Sequence, residues 1–215
     1  MTLIGNKSFL DAASRLKDVE DWSLSTKVFQ MIVRAYGTPD VDLMASTLSR
    51  KSPFFYSWNR RDLEALALDS LSRNIRWNAW TRPYLFPPFP LIAACLNKIQ
   101  EQAVERIIVV LPFWPGKAWF SDFQRMVLSV KRLPVRKDLI VDMMSGNPPP
   151  NLQALKLVVA VLTGKDMGWG TSCQDRQSVL LNPVGEEAQN HNIQVAGMLG
   201  SNGLLSKEYH QLPQL

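Results

Sequence analysis

Residues 83–120, PYLFPPFPLIAACLNKIQEQAVERIIVVLPFWPGKAWF, constrain the fold more than any other part of the chain. Residues 83–86 form an apolar run that ends at two prolines, and proline cannot donate to a sheet ladder. Apolar residues then recur at helical spacing over 91–104. Residues 107–111 are an uncharged, largely β-branched run, typical of a strand covered on both faces. The stretch therefore predicts a strand–helix–strand unit with a right-handed crossover.

The two predicted strands end in aromatic, proline-stiffened loops. The first loop is Phe86-Pro87-Pro88-Phe89, and the second is Leu111-Pro112-Phe113-Trp114. In open parallel sheets, ligands bind at the carboxyl ends of the strands. We therefore expect the two loops to lie side by side and to form a candidate binding site.

Composition limits the class of protein. The 215 residues are 46% hydrophobic and carry a formal net charge of +5, which suits one domain with tails and permits binding to polyanions. Cys95 and Cys173 match neither a zinc site nor a disulfide framework. Neither a signal peptide nor an apolar stretch near the ~20 residues of a membrane helix is visible. We expect a soluble intracellular protein, in the nucleus or cytoplasm, without membrane contact.

The chain is predicted to have three parts. Residues 1–21 form a polar N-terminal segment, and residues 22–144 form an α/β domain. A cluster of Ser, Gly, Asn and Pro then marks a boundary, so residues 145–215 are interpreted as a linker and flexible tail. The α/β domain is expected to be Rossmann-like. Its mostly parallel sheet is flanked by helices, with strands near 41–44, 83–86 and 107–111. A helix is expected over 117–130, followed by an edge strand over 132–135.

Two carboxylates, Asp42 and Asp69, each lie at the end of a presumed short strand. Acids in such places of a Rossmann-like sheet bind ribose hydroxyls or a nucleobase amine. The alternative is that each caps the backbone that follows, which is common for an isolated Asp. The order acid, acid, aromatic-Pro-Pro-aromatic favours the binding interpretation.

Aromatic and basic residues near the strand ends also have two interpretations. Trp114, Trp119 and Phe120 are placed to stack on a base or to pack in the core. A basic run is placed either to contact phosphates or to form a solvated edge. Its residues are Lys131, Arg132, Arg136 and Lys137.

Several blocks, in order, resemble one family of mobile elements. They are DWSLSTKVFQMIVRAYGTPDVDLMAS, PFFYSW, ALALDS, YLFPPFPLI and LPFWPGKAWF. They are similar to the region that follows ribonuclease H in polyproteins of DIRS-type (tyrosine-recombinase) retrotransposons. The resemblance covers roughly residues 6–140 and implies other retroelement polyprotein domains as partners.

The N-terminal block NKSFLDAASR resembles the last block of the retroelement ribonuclease H. By that resemblance Asp11 falls on the final catalytic acid of the ribonuclease. The other metal-binding acids would precede it and are not in this sequence. Because a ribonuclease H needs its full carboxylate set to hold two metal ions, we expect no such activity and no metal site.

The region after the ribonuclease is similar to phage-type Dam DNA adenine methyltransferases. The resemblance implies S-adenosylmethionine as cofactor, with Asp42 in the cofactor motif and Asp69 near the adenine of the cofactor. Phe86, Pro87, Pro88 and Phe89 take the place of the catalytic turn. In such enzymes an Asp or Asn of the turn accepts a hydrogen bond from the amine of a flipped adenine, and an aromatic residue stacks on the base.

The catalytic turn is degenerate in this chain. Phe89 retains the stacking ring, but Phe86 stands where the family has Asp or Asn. A phenylalanine side chain accepts no hydrogen bond, so the turn lacks its main polar group. We therefore expect no catalysis and no bound cofactor.

Three hypotheses remain open from the sequence. The first is a retrotransposon-derived, non-catalytic methyltransferase-like module that binds nucleic acid weakly through phosphates. The second is an active S-adenosylmethionine-dependent DNA adenine methyltransferase. The third is a non-functional remnant of a reverse transcriptase/ribonuclease H polyprotein.

Overall fold

The structure is a computed structural model that describes residues 22–57, 59–149 and 151–166. Helices and strands alternate along the chain, which confirms the α/β class. The strands are β1 Trp22–Leu24, β2 Val41–Asp42, β3 Pro83–Leu85, β4 Ile107–Pro112, β5 Val127–Arg132, β6 Ile140–Asp142 and β7 Leu157–Leu162. The helices are α1 Thr26–Tyr36, α2 Ile92–Glu101, α3 Phe120–Met126 and α4 Leu152–Leu155.

Five strands form the central sheet, in the order β2-β3-β4-β7-β5. The pairs β2–β3 and β3–β4 are parallel, as the strand–helix–strand prediction requires. β7 lies between β4 and β5 and is antiparallel to both. These five strands therefore form a mixed sheet, which corrects the expectation of a mostly parallel one.

β7 belongs to the segment that the sequence interpretation assigned to a linker and tail. All six of its residues are buried, and each pairs with a residue of β4. The proline-rich stretch before it is a loop that leads through α4 into the sheet. The predicted boundary at residue 145 therefore falls inside the folded unit, because an uncharged apolar strand follows the prolines.

The chain between β4 and β6 also differs from its prediction. The helix expected over 117–130 ends at Met126, and the chain continues directly into β5. Val127 and Val130 are the buried residues of this strand. β5 is thus the edge strand of the sheet, several residues earlier than the predicted edge strand over 132–135.

Two short segments continue the sheet beyond β2. Phe55 forms an isolated parallel bridge with Asp42, and Leu68 forms one with Ser57. We call these the Phe55 segment and the Leu68 segment. β2 therefore has the Phe55 segment on one side and β3 on the other.

Apolar side chains cover both faces of the sheet. On one face, α2 and α3 bury Ile92, Ile99 and Phe123 in a cluster with residues of β3, β4 and β7. On the other face, α1 buries Val28 and Ile32 beside the small antiparallel sheet of β1 and β6. This layering explains why β4 and β7 are uncharged runs.

The predictions for residues 1–21, including Asp11, lie outside the described residues, as do those for Cys173 and for the tail after residue 166. Among the described residues, no helix combines the length and the apolar composition that crossing a bilayer requires.

Candidate functional site

Asp42 and Phe86 lie next to each other at the carboxyl edge of two adjacent strands. Asp42 is the last residue of β2 and pairs in register with Tyr84 of β3, and Phe86 directly follows β3. Asp42, Tyr84, Phe86 and Lys51 line one small cavity together with β1. The structure thus brings together the residue that the resemblance assigns to the cofactor motif and the first residue of the degenerate turn.

The carboxylate of Asp42 accepts hydrogen bonds from the backbone of the loop that follows β2. Its Oδ2 accepts from the Lys51 N–H at 3.0 Å, and its Oδ1 accepts from the Met44 N–H at 3.3 Å. Asp42 is only 2% exposed. A buried carboxylate that receives backbone N–H groups holds its own loop in place. This local role matches the capping alternative raised from the sequence.

Lys51 places a cation beside this carboxylate. Its Nζ donates to the Leu24 carbonyl at 2.6 Å and lies 5.7 Å from the centre of the Phe29 ring. Burial lowers the pKa of Lys51, and the negative charge of Asp42 opposes that shift. The lysine therefore joins β1 and α1 to the end of β2.

The Tyr84 hydroxyl is buried and has no hydrogen-bond partner in the structure. Burial raises the pKa of Tyr84 well above its ordinary value, and the charge of Asp42 raises it further. Such a phenol stays protonated at any physiological pH. It is a polar group inside a mostly apolar layer, where a hydroxyl without a partner destabilises the fold.

The cavity beside Asp42 is very small. Its volume, measured as the space open to the centre of a water molecule, is about 10 Å³. That is room for about one water molecule, whereas sites for drug-sized ligands span roughly 300–1,000 Å³. The cavity therefore does not fit S-adenosylmethionine, and Phe86, which lines it, offers no hydrogen-bond acceptor.

The two aromatic loops lie side by side. The Leu91 N–H donates to the Pro88 carbonyl at 2.9 Å and closes a 3₁₀ turn, Phe89–Leu91, that leads into α2. The ring of Phe89 packs against that of Trp114, with centroids 5.3 Å apart and planes at 75°. This edge-to-face contact joins the turn after β3 to the loop after β4.

Asp69 lies apart from the Asp42 cavity and is not among its lining residues. Its φ of 56° is in the left-handed region, and its carbonyl accepts from the Ser72 N–H at 2.8 Å. Burial lowers the pKa of Lys98, and the charge of Asp69 opposes that shift. Asp69 thus ends the Leu68 segment in a tight turn, and its charge acts on a lysine of α2.

The other aromatic candidates divide into core and surface. Phe120 is 5% exposed and packs against Phe113 and Phe123, which supports the packing alternative for this residue. Trp119 is half-buried against the same cluster. Trp114 keeps part of its ring at the surface.

The basic run is exposed in the structure. Lys131 and Arg132 are on the edge strand β5, and the guanidinium of Arg132 lies 5.8 Å from the centre of the Phe113 ring. Arg136 forms an ion pair with Asp138 at 2.8 Å. The cations nearest to the aromatic loops are therefore those of β5.

Lys51 and Tyr84 were not predicted as site residues. Lys51 follows a polar loop, so its contact with β1 depends on how that loop folds back. Tyr84 lies in an apolar run, where a tyrosine gives no signal of an unpaired hydroxyl. Over the residues that the structure describes, no group of three His, Cys, Asp or Glu side chains is placed to hold a metal ion.

Comparison with known proteins found that no protein-family model and no curated protein matches this chain.

Proposed function

We propose that this chain is a non-catalytic, methyltransferase-like module of retrotransposon origin that binds nucleic acid. One observation carries the proposal. Asp42 and Phe86 line the same cavity at the ends of adjacent parallel strands, and that cavity has room for about one water molecule. The arrangement keeps the scaffold that the resemblance implies and lacks both the polar group and the space for its chemistry.

The strand order supports a Rossmann-like scaffold. From β2 the chain passes outward to the Phe55 segment and then to the Leu68 segment, and it returns on the other side of β2 as β3. Strand order thus reverses between β2 and β3. In doubly wound sheets such a switch point, at the carboxyl ends of the strands, is where ligands bind. The Asp42 cavity is at this point.

The loss of catalysis follows from the side chain at position 86. Removing one preorganised polar group from a transition state costs about 10²–10³ in rate. Phe86 removes the acceptor and also places a ring beside the buried Asp42. The two oxygens of Asp42 meanwhile accept N–H groups of the following loop.

The nucleic-acid part of the proposal is supported by charge. The chain has a net charge of +5, and exposed cations accompany the aromatic loop after β4. Lys and Arg that neutralise phosphates release counterions, which gives affinity that falls with salt. We expect weak binding that does not require a cofactor.

The test is an assay of methyl transfer. The full chain and a Phe86→Asp variant are incubated with labelled S-adenosylmethionine and adenine-containing single- and double-stranded DNA, and cofactor binding is measured by calorimetry. An active adenine methyltransferase serves as the positive control. We expect neither methyl transfer nor cofactor heat from the natural chain. Methylation by the natural chain overturns the proposal, and activity only in the variant supports the assignment of the turn.

A further inference from the structure

We propose that the surface at the carboxyl end of β4 binds single-stranded nucleic acid by stacking a base on Trp114 and holding phosphates with the surrounding cations. The surface consists of Phe113, Trp114, Lys117, Arg132 and Lys156, and we call it the Trp114 platform. This inference rests on the proposed function, because it names the form of nucleic acid and the residues that bind it.

Three elements bring the platform together. Val158 of β7 pairs with Leu111 of β4 on one side and with Arg132 of β5 on the other. Just beyond these pairs, the Phe113 N–H donates to the Lys156 carbonyl at 3.1 Å. Arg132 and Lys156 therefore flank the loop that carries the two aromatic rings. Because the cations are on sheet strands or at a strand end, their backbone positions are fixed.

Trp114 is held in one orientation while part of its ring remains exposed. Its Nε1–H donates to the Ala154 carbonyl at 3.3 Å, and the Phe89 ring packs against it at 75°. The ammonium of Lys117 lies 5.8 Å from the centre of the Trp114 ring. A tryptophan fixed at the surface, with cations beside it, loses little freedom when a base stacks on it.

The charge of this region has one sign. Over residues 113–137 the sequence contains six Lys or Arg and one acid. That acid, Asp122, pairs with Arg125 on α3. Within the described part of the chain, no carboxylate pairs with the cations that remain beside the loop, which are Lys117, Lys131, Arg132 and Lys156. They are available for phosphate groups.

The combination of rings and cations favours single strands over duplexes. In a duplex the faces of the bases are covered by their neighbours, whereas a single strand offers a free face to an aromatic side chain. Phosphate contacts alone would serve a duplex equally well. The fixed ring of Trp114 is therefore the feature that discriminates between the two forms.

The experiment measures binding of the full chain to a fluorescent single strand of about 15 nucleotides and to the matched duplex, by anisotropy over a range of salt concentrations. We expect tighter binding to the single strand. Trp114→Ala should weaken single-strand binding about 10-fold and leave duplex binding within about 2-fold, as expected for the loss of one stacked base. Trp114→Phe should restore most of the loss.

The role of the cations is tested by salt dependence. The double variant Arg132→Gln, Lys156→Gln should make the slope of log affinity against log salt shallower by about 0.7 for each phosphate that is no longer neutralised. The matched control is Arg73→Gln, Arg76→Gln, which removes two exposed cations outside the platform and should leave the slope unchanged. An unfolding curve of each variant checks that the fold is intact.

Three results overturn the inference. The first is equal affinity for single strand and duplex, and the second is unchanged binding by a folded Trp114→Ala variant. In both cases nucleic-acid binding itself, and with it the proposed function, remains. The third is tighter binding to vesicles with about one-third anionic lipid than to the single strand, which would assign the platform to membranes. If no nucleic acid binds at all, the inference and the nucleic-acid part of the proposed function both fail, and the methyl-transfer test stands separately.

Discussion

Asp42 and Tyr84 are register partners across the parallel strands β2 and β3, and both are almost fully buried. The carboxylate receives backbone N–H groups, whereas the phenol has no hydrogen-bond partner. Burial and the negative charge of Asp42 both disfavour the ionised phenol. The pair thus places a satisfied charge and an unsatisfied hydroxyl beside the same small cavity.

The first prediction removes that hydroxyl. Tyr84→Phe should leave the free energy of unfolding unchanged or raise it by up to about 1 kcal/mol, because an unpartnered buried hydroxyl costs about 1–3 kcal/mol. The control, Tyr84→Ala, also deletes the ring that packs edge-on against Phe29 and should cost about 3–5 kcal/mol. Urea unfolding measures both. A loss above about 1 kcal/mol for Tyr84→Phe would show that the hydroxyl has a partner, such as a water in the cavity.

The second prediction concerns alkaline pH. The pKa of Tyr84 is raised on folding, so the folded chain keeps a proton that the unfolded chain loses above about pH 10. Its contribution to stability is therefore fully present below about pH 10 and is lost as the pH rises further. The natural chain should lose stability relative to Tyr84→Phe above that pH, by up to about 1.4 kcal/mol per pH unit. Parallel curves for the two proteins from pH 8 to about 11 would contradict this.

Comparison with the variant is needed because other groups titrate in the same range. Burial raises the pKa of Cys95 and lowers that of Lys98. Both groups are present in the natural chain and in Tyr84→Phe, so their effects cancel in the difference between the two unfolding curves.

The strands that carry the site could be predicted from the sequence, and one central strand could not. The run at β4 has no charge, and all of its residues are buried. β7 has the same kind of run, but the prolines before it indicated a domain boundary. Local composition reports where a chain turns, whereas the return of β7 between β4 and β5 depends on pairing between residues far apart in sequence.

The site was predictable in the same partial way. Because parallel strands end at one edge, the meeting of Asp42 with Phe86 follows from the order of elements. The contact of Lys51 with Leu24 joins a loop to a strand, and no local pattern indicates it. The size of the cavity also depends on side-chain packing, which periodicity does not report.

The third prediction compares two carboxylates that each accept two backbone N–H groups. Asp42 is buried, whereas Asp40 is more exposed and accepts from Thr81 and Arg82. Asp42→Ala should cost about 2–4 kcal/mol, because it leaves donors without partners in the interior. Asp40→Ala should cost about 1 kcal/mol, since water can replace the lost acceptor. Equal losses in urea unfolding would show that burial of Asp42 does not strengthen its bonds.

The fourth prediction tests the close approach of β7 to the joint between α2 and β4. A Cβ built on Gly164 would lie 1.9 Å from the Ile99 carbonyl oxygen and 3.0 Å from the Val104 nitrogen. Both are backbone atoms, so neither can move cheaply. Gly164→Ala should cost about 3 kcal/mol. The control is Gly116→Ala, where a Cβ would meet nothing within 4 Å and should change stability by less than about 0.5 kcal/mol.

The fifth prediction concerns the end of the folded unit and compares two truncated chains, residues 1–144 and residues 1–166. The longer chain contains every strand that the structure describes, and it should show cooperative urea unfolding and a folded circular dichroism spectrum. The shorter chain lacks β7, so β4 and β5 would lose their common neighbour.

Loss of β7 should prevent folding of the shorter chain. Six buried residues would be removed, four or more of them large apolar side chains worth about 1.5–3 kcal/mol each. Their sum is comparable to the whole stability of a domain, which is about 5–15 kcal/mol. The facing residues of β4 would also lose their hydrogen-bond partners on that side. Cooperative unfolding of the 1–144 chain would instead show that the domain ends where the proline cluster suggested, with β7 as a dispensable addition.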